Sequence, residues 1–348
     1  MDEVSLLEGL LNCYSPSGHE AEAVGYLVEQ MRALGYEAAA DEAGNAVGAY
    51  GTGPETVLLL GHIDTVAGRI PVRREGDLLW GRGSVDAKGP LACFVAAAHR
   101  ARDHMGGRRV VVVGAVGEEA DSPGAQFVKT RYRPAATVIG EPSGWEKITL
   151  GYKGSVWYAY QCRRPLAHSA AHAENACEAA VHFWDRVTTW ADGYNVDFAR
   201  VFEQVSPSLR SWGSDTDGLT DSATLQFNVR LPLGLSVETC DQALRGLLDR
   251  ADLTQQSGGT PAFRSEKNTP LVRAFLAAIR QAGGAPSFAL KTGTADMNVV
   301  GPAWNTPILA YGPGDSALDH TPEERLSISE YQRAIAVLSE ALKHLAPG

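Results

Sequence analysis

The chain has no apolar run approaching the roughly 20 residues that a membrane-spanning helix needs, so no membrane partner is expected. Its start, MDEVSLLEGLLNCYS, is acidic and lacks a basic region followed by a long apolar stretch, so no signal peptide is expected either. Cysteine is scarce: Cys13, Cys93, Cys162, Cys177 and Cys240 are scattered, odd in number and form no C-x-x-C pair. That pattern argues against a disulfide framework and against a cysteine–zinc site, and the expectation is reduced thiols in a cytoplasmic protein. Positive charge is in the minority, 31 Lys and Arg against 41 Asp and Glu, for a formal net charge of −10. Gripping a phosphate backbone takes a basic face, so nucleic acid is not an expected partner. Low-complexity segments and short internal repeats are absent too.

What is present is an ordinary globular composition, 44% hydrophobic and 21% charged, over 348 residues, a length that suggests two domains. In Ala21 to Leu34 the residues Val24, Leu27, Val28, Met31 and Leu34 recur at helical spacing, with Ser17 as the expected cap. Short apolar runs follow at Val57 to Leu60, Val110 to Val116 and Thr137 to Ile139, with a helix expected from Pro90 to His104. Short, fully apolar strands alternating with helices predict an α/β fold: a mostly parallel sheet with helices on both faces. From Gly154 the texture changes. Ser155 to Gln161 is aromatic and partly alternating, then come a helix from Asn175 to Trp190, a strand from Ala223 to Leu231 and a helix from Val237 to Leu248. That is the pattern of a small inserted α+β domain of ferredoxin-like type. After Pro270 the first pattern returns, with a helix through Ala282 and an apolar run from Pro307 to Tyr311. The expected boundaries are residues 1–153 and 265–348 for a discontinuous main domain, and 154–264 for the insert.

The chemistry sits where the apolar runs stop. Val57 to Leu60 leads into Gly61-His62-Ile63-Asp64, and Val110 to Val116 into Gly117-Glu118-Glu119. Thr137 to Ile139 leads into Gly140-Glu141, and Pro307 to Tyr311 into a loop ending at Asp319-His320. Open α/β sheets bind ligands just past the carboxyl ends of their strands. Taken singly, each residue has a bland explanation: a hydrogen-bonded histidine, a solvated pair of glutamates, or Asp86 as a turn or helix cap. Four such coincidences at one sheet edge point to one site. Imidazole with carboxylate suits zinc and similar divalent metals, and two histidines with several carboxylates exceed the needs of a single structural ion. A pair of metals sharing a carboxylate fits better. Asp64, two residues past His62, is placed to accept the other N–H of that imidazole. His19, His99, His104, His172 and His182 read as structural, and Arg131 to Arg133 as a solvated face.

At these residues the sequence resembles the M20 metallopeptidases. The matching elements are Gly61-His-Ile-Asp-Thr65, Gly81-Arg-Gly-Ser-Val-Asp-Ala-Lys-Gly89, Gly117-Glu-Glu119, Gly140-Glu-Pro142 and Gly312-Pro-Gly with His320, in order over essentially the whole chain. The resemblance implies a zinc-peptidase-like catalytic domain with two Zn2+ per subunit, Co2+ being an alternative. Asp86 would bridge the ions, His62 and Glu141 would complete one, and Glu119 and His320 the other. Glu118 would be the general base. Spacing alone does not separate its role from that of Glu119. The insert would be the family's lid and dimerisation domain in a homodimer, with His168 reaching the partner's site to stabilise the oxyanion. Arg230, Lys291, Thr292, Gly293 and Thr294 match substrate-facing positions.

Gly83 to Pro90, Gly140 to Trp145, Gly151 to Gly154, Lys291 to Asn298 and Tyr311 to Asp315 resemble one subgroup of that family. Its members release lysine, and often ornithine, from an acidic amino-group carrier protein, LysW, in lysine and arginine biosynthesis. The amide they cut joins the amino acid to the γ-carboxyl of the carrier's terminal glutamate. Small-molecule deacylases acting on acetylornithine or acetyl-lysine share every catalytic residue, and only the subgroup motifs favour the carrier. Because enzyme and carrier are both acidic, a local basic track of Lys153, Arg163, Arg164 and Arg230 is expected to receive the carrier.

Overall fold

The structure, a computed structural model, describes residues 2–105 and 107–345. It divides into two compact units. The first comprises Met1–Gly151, Ser265–Leu290 and Ala295–Gly348, and the second Tyr152–Arg264 with Lys291–Thr294. The segment Lys291 to Thr294 thus clusters with the insert rather than with the sequence around it.

In the first unit the strand Thr56–His62 is central. It pairs in parallel with Arg109–Ala115 on one side and Ala136–Gly140 on the other, and Ile308–Ala310 runs parallel to Ala136–Gly140. Antiparallel strands flank this core: Ala46–Tyr50 then Glu37–Ala40 at one end, Lys147–Tyr152 at the other. Leu58, Leu59, Leu60 and Val110 to Val113 are all fully buried, as expected of strands covered on both faces. Val57, Leu59, Val110, Val112 and Val138 share one core with helices Glu3–Asn12, Ala21–Ala33, Lys88–Ala101, Pro270–Gln281 and Ile328–His344. The alternate residues Leu58, Leu60, Val111 and Val113 face the opposite way. Because the parallel strands share a direction, their carboxyl ends deliver His62, Glu118, Glu119 and Glu141 to one edge.

The helix from Ala21 begins with Glu20 at its N-cap and no side-chain cap bond. Ser17 lies too far upstream to reach the helix amides. Its hydroxyl donates instead to Asp64 Oδ2 at 2.7 Å, which corrects its expected role as a cap. All five cysteines are free thiols, and only Cys177 is exposed. Among the described residues no helix is long and apolar enough to cross a membrane.

The second unit is a four-stranded antiparallel sheet, in the order Ser206–Thr216, Thr220–Leu231, Gly154–Pro165, Ala251–Gln255. Helices Ala176–Asn195 and Val237–Arg245 complete a βαββαβ chain. Its core stacks Tyr160 on Phe183 at 4.3 Å and Tyr158 on Phe227 at 5.5 Å between ring centroids. The first helix starts with a capping box: Asn175 accepts from the Glu178 amide at 2.9 Å, and Glu178 accepts from the Asn175 amide at 3.1 Å. Asn175→Ala is expected to cost about 1 kcal/mol, read as a lower midpoint in urea with an unchanged slope.

The expected basic track does not form as a surface. Lys153 is fully buried and donates to Val201 O, Gln204 O and Ser206 Oγ, at 3.2, 2.5 and 2.9 Å. Arg164 is also buried, donating to Asp249 O and Arg250 O. Both cations are engaged inside the unit, mostly by backbone carbonyls, with Ser206 also on Lys153 and Glu174 3.6 Å from Arg164; such partners offset the cost of burying a charge. Arg163 alone of the sheet pair points outward, because neighbours on a strand face opposite sides.

Candidate metal centre

Each residue of the site is set by a feature of its own segment. His62 ends its strand and is 1% exposed. Its Nδ1 lies 3.0 Å from the Asp64 backbone oxygen and 3.4 Å from Asp64 Oδ1, so residue 64 orients the ring through two acceptors. Asp64 does more than that. Its carboxylate also accepts from the amides of Glu118 and Glu119, at 3.0 and 3.1 Å, and so fixes the loop after Arg109–Ala115 to the loop after Thr56–His62. Gly117, at φ +73, makes the turn into that loop.

Asp86 lies between two imidazoles. Its Oδ1 is 3.1 Å from His62 Nε2, and its Oδ2 is 3.1 Å from His320 Nε2. His320 Nε2 is also 2.9 Å from Glu119 Oε1. Two groups of ligand-type atoms lie within 4.8 Å of one another: His62, Glu118 and Glu119, and Asp86, Glu119 and His320. Glu141, just past Ala136–Gly140, is buried and falls outside both groups. Its charge nevertheless reaches Glu118.

The turn before Asp86 is tight. Gly83 has φ +87, and a Cβ there would meet the Thr65 methyl at 2.9 Å; a Cβ on Gly89 would lie 2.2 Å from Ser84 O. Glycine is required at both places.

The charges are concentrated and mutually dependent. Burial raises the Glu118 carboxyl well above its usual range, and the nearby Glu141, Asp296 and Glu119 push the same way, while His62 partly offsets them. The Asp86 and Glu119 carboxylates hold His320 protonated up to about 10. Burial opposes the charged form of His62, but Asp64 and Asp86 outweigh it and raise that pKa as well. Burial likewise opposes ionisation of Asp86, yet His320 and His62 keep it well below the carboxylate range. Two imidazoles crowded by carboxylates at hydrogen-bond distance are a donor set suited to zinc-type divalent cations. One carboxylate whose oxygens are divided between two imidazoles suits a pair of ions. The residues therefore fit a dinuclear metal centre.

The remaining expected site residues, His168, Arg230 and Lys291 to Thr294, lie in the second unit. There Arg230 Nη1 donates to Thr294 Oγ1 at 3.2 Å, and His168 is exposed. Sequence reasoning gave no role to Asp296, whose carboxyl is raised by burial to about 7, with His62 and Ser122 opposing. It also missed Glu324, a fully buried glutamate.

The model of peptidase family M20/M25/M40 matches residues 58–344. The chain is 45% identical to the LysW-lysine hydrolase of Deinococcus radiodurans, over 99% of this chain and 97% of that one. It is 38% identical to a putative LysW-lysine/LysW-ornithine hydrolase of Thermococcus kodakarensis, over 99% and 92%. Among solved structures, an M20 family metallo-carboxypeptidase from Sulfolobus solfataricus superimposes with a TM-score of 0.79 at 18% identity, covering 99% of both chains.

Proposed function

Because this chain belongs to peptidase family M20/M25/M40, we propose that it is the metal-dependent hydrolase that frees lysine or ornithine from the carrier protein LysW. The observation that carries this reading is the likeness to LysW-lysine hydrolase over nearly the full length of both chains, at 45% identity.

His62 and Glu141 would hold one divalent ion, Glu119 and His320 the other, with Asp86 between them. Zinc is the proposed metal, with cobalt as the alternative. Two such ions supply Lewis acidity that polarises the amide carbonyl and lowers the pKa of the attacking water. The chain's own residues do the rest. Glu118 accepts a proton from the attacking water and returns it to the leaving α-amine of lysine. Asp64 orients His62 and pins the Glu118 and Glu119 amides, so that base and ligand keep a fixed spacing. The amide cut is the one to the γ-carboxyl of the carrier's terminal glutamate. Arg230 with Lys291 to Thr294 hold a carboxylate of the substrate, a role for which a guanidinium is geometrically suited. His168 stabilises the oxyanion across a homodimer, and the enzyme works in the cytoplasm.

Mass spectrometry of the metal-loaded enzyme with LysW–lysine, and with N-acetylornithine in parallel, tests the substrate. Free lysine and a carrier lighter by one lysine residue, with little deacetylation, is the expected result. Rapid deacetylation beside an untouched carrier would leave the metal chemistry standing and make the chain a small-molecule deacylase.

A further inference from the structure

Glu324 is fully buried, a rare place for a glutamate. Its Oε1 accepts from the backbone amides of Gly83, Val85 and Asp86, at 3.0, 2.9 and 3.1 Å. Its Oε2 accepts from Arg82 Nη1 at 2.8 Å, and Arg82 is itself only 8% exposed. The guanidinium then donates to Thr321 O at 3.2 Å and to Gly68 O at 3.0 Å. Every side-chain hydrogen bond of this buried pair other than the ion pair itself is therefore to backbone.

A buried ion pair is a weak source of stability, since an apolar pair of the same volume often does as well or better. What this pair supplies is position. The amides that Glu324 gathers converge as an anion-binding nest, and the carboxylate fills it from a distant segment. The nest ends at Asp86, whose two oxygens are divided between His62 and His320. Arg82 grips the carbonyl of Thr321, the residue immediately after His320. One ion pair thus ties the turn that carries Asp86 to the loop that carries His320, and both residues belong to the same group of ligand atoms.

We infer that Glu324, with Arg82, is a positioning residue of the metal centre: it sets the orientation of Asp86 relative to His320, and with it the affinity of the site that those two share with Glu119. The inference rests on the metal-centre reading above. In Glu324→Gln the amide oxygen keeps the three backbone donors, but the amide nitrogen turns a second set of donors toward Arg82. Arg82→Lys is the milder variant, keeping the charge and losing the fork that reaches two carbonyls and a carboxylate.

The test is titration of the metal-free chain with Zn2+ against a competing chelator, the Co2+ absorption spectrum, and circular dichroism to establish folding. Wild type is expected to take two ions. Glu324→Gln is expected to fold, to bind one of them about 10–100-fold more weakly, and to show an altered cobalt spectrum. Its kcat should return toward the wild-type value at saturating metal. Arg82→Lys should move in the same direction by less, and it decides the matter if Glu324→Gln does not fold. Asn175→Ala, which loosens the second unit, serves as a destabilised control with wild-type metal affinity. Wild-type affinity and spectrum in the folded Glu324 and Arg82 variants would overturn the inference and leave the pair a merely structural one. A wild type that takes up no metal would instead remove the reading on which it rests.

Discussion

Glu118→Gln is expected to give a folded chain that still binds metal but turns over LysW–lysine about 10²–10⁴-fold more slowly, the size of loss typical of a general acid–base group. Glutamine matches glutamate in shape, and the Glu118 main-chain amide that anchors the loop to Asp64 is untouched by the change. In the proposed mechanism, what disappears is the ability to take a proton from water and deliver it to the leaving amine. The loss should fall on kcat with little change in KM, because proton transfer contributes only in the transition state. Burial and the surrounding carboxylates already strain Glu118 toward its protonated form, so its basicity depends on the positive charge brought to the cluster. Steady-state kinetics together with metal content decide the point: undiminished turnover at full metal loading would move the base to another residue.

Metal uptake should depend steeply on pH. Without metal, His320 is held protonated up to about 10 by Asp86 and Glu119, and His62 is raised well above its ordinary value. An imidazole must be neutral to ligate, so each ring gives up a proton as metal binds. The sign follows directly: raised pKa values mean that protons compete with metal throughout the range below them. Apparent affinity therefore rises with pH, by about tenfold per pH unit for each proton displaced, the His320 contribution levelling off near pH 10. Calorimetry at pH 7 in buffers of different ionisation enthalpy should report about two protons released as both rings are taken up. A binding heat indifferent to the buffer would sink this account.

Much of the first unit was legible because its signals are strong and mutually consistent. Strands buried on both faces read as apolar runs, and the ligand-type residues fall directly after them, so Thr56–His62, Arg109–Ala115 and Ala136–Gly140 could be found along with their cargo. The strand Ser206–Thr216 could not, since it is an edge strand, exposed along most of its length, with no apolar alternation to mark it. The hairpin of Glu37–Ala40 and Ala46–Tyr50 was missed because it is short and rich in alanine. Ser17, Arg82 and Glu324 escaped for a different reason. Each acts on a partner distant in sequence, which local spacing does not reveal: Ser17 reads as a helix cap, and nothing along the chain links Arg82 to Glu324. The basic track failed on the same ground: Lys153 and Arg164 carry the right charge, but the fold turns them inward.

The first unit is interrupted in sequence yet closed in space. The chain departs after Gly151 and resumes at Ser265, whose amide bonds back to Leu150 O at 2.8 Å and whose hydroxyl bonds the same oxygen at 3.1 Å. Departure and return are thus stitched together by the hydrolytic unit itself. The intervening segment is therefore expected to be replaceable by another module with similarly close ends, the first unit keeping its fold. A chain so spliced is expected to keep its sheet and to hold His62, Asp86, Glu119 and His320 at one edge, since all four lie outside the exchanged segment.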